Sequence, residues 1–87
     1  MEKEWGYIAL RMHDGTWVIY GGYNLFIGVE EGKLVVQNSL VEIRLKPPVS
    51  HEEVLNTIKE VRQKFGDDAA DKLSMLLKSL PITSLSD

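Results

Sequence analysis

Residues 40–53 read LVEIRLKPPVSHEE, and the fold divides inside them. Val41, Ile43 and Leu45 alternate with Glu42, Arg44 and Lys46, the period-two pattern of a strand with one buried face. Pro47-Pro48 stops the ladder, because proline donates no backbone hydrogen bond. Ser50 and Glu53 then make a capping box: the Ser50 hydroxyl accepts from the N–H at position 53, and Glu53 reaches back to the Ser50 N–H. Strand gives way to helix within a few residues.

Downstream, Val54, Ile58, Val61 and Phe65 recur at steps of four, three and four, so they share one face of a helix over 51–65. Gly66 is its left-handed stop. Asp67 or Asp68 caps a second helix over 68–80, with Leu73, Leu76, Leu77 and Leu80 as its apolar stripe and Pro81 at its end. Residues 81–87 read as a frayed tail in which Ile82 and Leu85 could dock.

Upstream, turn signals recur about every ten residues, as in small all-β units. They separate strands at 5–12, 16–20, 24–29, 33–37 and 40–46. Six of the seven glycines and six of the seven aromatics precede Pro47, which supports a β half followed by an α half. The expected fold is α+β, with a five-stranded antiparallel meander sheet followed by an α-helical hairpin packed on one face. Residues 1–80 form the single domain.

Turn lengths assign side chains to faces. A two-residue turn at Asp14-Gly15 pairs Met12 with Trp17 and Leu10 with Ile19. Ile8, Leu10, Met12, Trp17 and Ile19 then share the core face. A three-residue connection at Gly21-Gly22 through Tyr23 adds Leu25, Ile27 and Val29 to it, and two-residue turns at Glu31-Gly32 and Asn38-Ser39 add Leu34, Val36, Val41, Ile43 and Leu45. An even loop at Gly21-Gly22 would instead move Leu25, Ile27 and Val29 to the opposite face. That opposite face carries Trp5, Tyr7, Arg11, Tyr20, Phe26, Lys33, Arg44 and Lys46 and has no chain left to cover it.

Composition bounds the function. With 87 residues the chain is one small domain, and at this size about 60–65% of the unfolded surface is buried. Hydrophobic residues at 44% and charged residues at 26% argue against disorder. The absence of cysteine excludes disulfides, thiolate metal clusters and a cysteine nucleophile. The start, Met1-Glu2-Lys3-Glu4, has no basic segment before an apolar core, and no apolar run approaches the roughly 18–20 residues of a membrane span. A cytoplasmic location is the expectation. A net charge of −3 lacks the basic footprint usual for duplex DNA binding.

An open face of aromatics and cations suits single-stranded nucleic acid, whose bases stack on rings while cations track phosphates. On this reading Trp5, Tyr7, Tyr20 and Phe26 stack, and Arg11, Lys33, Arg44 and Lys46 meet phosphates. Seven of the thirteen acids lie in residues 50–87, on the helix side, so the charge is dipolar. The same residue types are enriched at protein interfaces, so the alternative is a protein-interaction or assembly subunit, and self-association is expected with either. A closed small barrel enclosing some of the aromatics is a third arrangement. The order of elements, an aromatic-rich antiparallel meander with Trp5, Tyr7, Trp17, Tyr20 and Phe26 followed by helices, resembles the small archaeal ThermoDBP-related single-stranded DNA-binding domains over most of the chain. The resemblance is one of outline and transfers no site residue. It implies a homo-oligomer that binds single-stranded DNA without sequence preference.

Catalytic and metal chemistry finds little support. His13 and His51 are unconnected in sequence and read as solvated surface residues. Asp67, Asp68 and Asp71 are explained by helix capping and dipole compensation. There is no phosphate loop, nucleophile elbow or dinucleotide fingerprint. No enzyme activity, catalytic residue, metal or cofactor is expected.

Overall fold

In a computed structural model of the protein, residues 4–83 are described. Five antiparallel strands precede two helices: β1 (Trp5–Arg11), β2 (Trp17–Tyr23), β3 (Phe26–Glu30), β4 (Lys33–Gln37), β5 (Val41–Leu45), α1 (His51–Phe65) and α2 (Asp67–Ser79). The α+β class, strands then a helical hairpin, is as expected. The strand neighbours are not. β1, β2 and β5 form a three-stranded sheet with β2 in the centre, and β3 and β4 form a separate two-stranded hairpin. The single five-stranded meander is therefore corrected. β5 returns beside β2, and the chain between them makes the extra hairpin.

α1 starts and ends where its sequence signals place it, whereas α2 starts differently. Ser50 Oγ accepts from the Glu53 N–H at 3.1 Å and starts α1. Gly66, at φ 98°, both ends α1 and starts α2, so one residue turns the helical hairpin. Gly66 replaces the expected aspartate cap: α2 has no side-chain cap. Arg62 instead clamps the corner, donating to Asp67 at 2.7 Å and Asp71 at 3.2 Å. That ion pairing accounts for two of the three clustered acids.

The face assignment of β1 turns on one residue. Asp14-Gly15 does not make a two-residue turn. Gly15 N–H donates to Met12 C=O at 3.0 Å, and Met12 N–H donates to Thr16 C=O at 2.8 Å, with Gly15 at φ 91°. This is a type I turn followed by a left-handed glycine, the three-residue hairpin loop with a bulge. Arg11 therefore opposes Trp17, and Tyr7 opposes Gly21. A one-residue change in pairing moves every β1 side chain to the other face. Trp5, Tyr7 and Ala9 turn toward the helices, while Ile8 and Leu10 turn away.

The core lies between the three-stranded sheet and the helices. Ile19, Leu45, Val61, Leu73 and Leu77 are buried in it, with Trp5 only 2% exposed. Ile82 is buried as well, as the docking expectation allowed. Val49 N–H donates to the Ile82 carbonyl, which ties the segment after α2 to the start of α1. Leu85 lies outside the described residues. Among the described residues no helix is long and apolar enough to cross a membrane.

Candidate interaction surface

Trp5 is the centre of an aromatic cluster, not part of a platform. Its ring lies 5.8 Å from Tyr7, 5.1 Å from Tyr23 and 5.1 Å from Phe65, with the first two contacts edge-on. The Tyr7 hydroxyl donates to the Ala69 carbonyl at 2.7 Å and pins β1 to α2. Burial pushes the Tyr7 phenol above its ordinary value; the Trp5 indole N–H opposes that shift and the charge of Asp68 adds to it. The expectation that Trp5 and Tyr7 stand on an open face is thus corrected.

The remaining candidates separate in space. Arg11 is exposed on the helix side of the sheet, its guanidinium 5.8 Å from the Trp17 ring centre. Tyr20 stays on the open face, half-buried, in the pairing position opposite Ile8 and Glu42. Arg44 is beside it and donates to Glu42 at 2.9 Å. The Glu42 hydrogen bond and charge hold the Arg44 guanidinium above its ordinary value. Lys46 follows β5 near the Asp14 turn, and its charge helps hold the Asp14 carboxyl low, after the larger effect of the Thr16 N–H. Lys33 is at the far tip of the β3–β4 hairpin. Arg44 and Lys46 lie together near the Asp14 turn, while Arg11 is on the helix side and Lys33 at the far hairpin tip, so the four cations form no single track for a phosphate backbone.

The open sheet face is mixed: half-buried Ile8, Leu10 and Tyr20 lie beside Val18, which is only 2% exposed, and Glu42 and Arg44 stand exposed next to them. The hairpin carries the more exposed apolar residues. Glu31 and Gly32, at φ 51° and 77°, make the two-residue turn that the sequence predicts, so Ile27 pairs with Val36 and Val29 with Leu34 on one face. Leu34 and Val36 line one open concavity of about 560 Å³ with Tyr20, Leu40 and Val41 and with the polar Asn38, Ser39 and Glu42, so the hairpin borders the sheet face there. Val29 is 70% exposed, Leu40 56% and Leu34 50%. Phe26, 55% exposed, lies on the reverse face of the hairpin against Gly28, away from Tyr20.

Two glycines let the hairpin leave the sheet. Gly21-Gly22 is not the connection it resembles in sequence, since β2 runs through it to Tyr23. A Cβ on Gly21 would lie 2.5 Å from the Tyr7 ring, and one on Gly22 would collide with the Asn38 carbonyl. Asn24 and Asn38, both at positive φ, make the bend, and Asn38 Nδ2 donates to the Asn24 carbonyl at 2.8 Å. Sequence reasoning missed Val29, Leu34 and Leu40 as surface residues. The alternation of Val29 and Leu34 was legible, but it read as core because all five strands were joined in one sheet; Leu40 was assigned to neither face.

A second, smaller groove of about 260 Å³ lies between the helices, lined by Val54, Ile58 and Leu77 with His51 and Lys78 at its margin. Among the described residues no group of three or more histidines and acids could hold a metal ion. No known protein family, curated protein or solved structure matches the chain.

Proposed function

We propose that the protein is a non-enzymatic assembly module that self-associates through its strand half. The observation that carries this reading is the set of exposed apolar side chains in the strand half, Val29, Leu34 and Leu40. Leu34 and Leu40 line one concavity together, and apolar side chains left exposed in a group commonly serve contact with another protein. A cytoplasmic setting suits a cysteine-free chain of this kind. Single-stranded nucleic acid is the weaker use of the same face, because two of its four expected stacking rings, Trp5 and Tyr7, serve the core.

Hydrogen exchange at several protein concentrations tests the reading. Amides of residues 26–37 and 41–45 should lose protection on dilution, while those of α1 and α2 hold theirs. Concentration-independent exchange in the strand half would contradict it. Salt-sensitive binding of a labelled oligonucleotide, weakened by Tyr20→Ala, would support a nucleic-acid role instead.

A further inference from the structure

The three-stranded sheet has two edges, and they are finished differently. β1 is met by α2 at its first residue, where the Lys72 ammonium donates to the Trp5 carbonyl at 2.9 Å. β5, the other edge, exposes Glu42 and Arg44, whose side chains are 47% and 61% accessible.

The order of residues in β5 has a symmetry that the other exposed strands lack. Strands that pair antiparallel about a two-fold axis at their central residue set position i opposite its mirror position. For β5 the centre is Ile43. Glu42 then opposes Arg44 of the second copy, and Arg44 opposes its Glu42, while Val41 meets Leu45. The same operation on β1 about Ile8 sets Tyr7 against Ala9 and Trp5 against Arg11. On β3 it sets Phe26 against Glu30, and on β4 Lys33 against Gln37. Only β5 is complementary in charge to itself.

We propose that two copies of the chain pair along β5, in register about Ile43, into a continuous six-stranded sheet. This rests on the self-association reading and adds to the hairpin contact a strand edge that borders the Leu34 concavity at Glu42. Directly opposed side chains in an antiparallel pair lie close enough for ion pairing. The Glu42–Arg44 contact already present within each chain becomes half of a four-charge ring of alternating sign. The two open faces come to lie side by side on one surface of the joined sheet, with both helical layers on the other.

The test uses two variants, Glu42→Arg and Arg44→Glu, each checked for a wild-type circular dichroism spectrum. Each variant alone places like charges opposite each other twice, and its dimer should weaken about tenfold or more. Mixing the two variants restores complementarity between chains, because two arginines then face two glutamates. Native mass spectrometry should show the heterodimer in excess over both homodimers. The contact within each chain is broken in both variants, so it cannot produce that rescue. A dimeric wild type without rescue would overturn the β5 register and leave self-association standing. A monomeric wild type would overturn both.

Discussion

The two halves of this molecule use the same kinds of residue to different ends. Under the helices, Trp5, Ile19, Leu73 and Ile82 are closed off from water by three layers of contact: sheet, helices and the segment after α2. On the β3–β4 hairpin, Val29 and Leu34 alternate just as regularly and remain in water. Hydrophobic patterning states that a face wants a partner. It does not state that the partner is in the same chain. With 87 residues, two helices can cover one face of three strands, and the hairpin is left over.

The comparison can be strained from either side. The largest effect is expected in the covered half. Leu73→Ala should lower unfolding free energy by about 2–5 kcal/mol, read by urea denaturation, because a fully buried leucine leaves a cavity. Next comes the joint between the halves. Gly22→Ala should cost about 1–3 kcal/mol and shift hairpin resonances in NMR spectra, since the Asn38 carbonyl must move aside.

Tyr7→Phe removes the hydrogen bond to Ala69 and should cost about 0.5–1.5 kcal/mol. It also has a pH signature. The folded protein holds the Tyr7 proton above the ordinary value of 10.0. That contribution is complete below the unfolded value and is lost as pH rises through the folded one. Wild-type stability should therefore fall above about pH 10, and Tyr7→Phe should flatten the decline. The smallest stability change belongs to the hairpin: Leu34→Ser should alter unfolding of the isolated chain by under about 0.5 kcal/mol. The same substitution should weaken association measurably, which is the contrast between the halves in one residue.

Much of the architecture was legible. α1 follows from the Ser50 cap, the Val54-to-Phe65 stripe and Gly66, because helix signals are local. All five strands and the Glu31-Gly32 turn were legible for the same reason. Strand neighbours were not, because nothing local to β5 states whether it pairs with β4 or returns to β2. The faces of β1 were lost at Asp14-Gly15. Acid-glycine pairs serve both here and at Glu31-Gly32, yet one closes a three-residue loop and the other a two-residue loop. That single residue decided whether Trp5 and Tyr7 faced a ligand or the core. Tyr20 and Arg44 kept the face read for them, because β2 and β5 kept the alternation of their own sequences, but the pairing of Tyr20 with Glu42 came only with the return of β5 to β2.

Size-exclusion chromatography with light scattering at micromolar concentration tests self-association most directly. A mass near twice 9.9 kDa, falling toward the single-chain value on dilution or with Leu34→Ser, is the result the account predicts. A mass of 9.9 kDa at every concentration would contradict it.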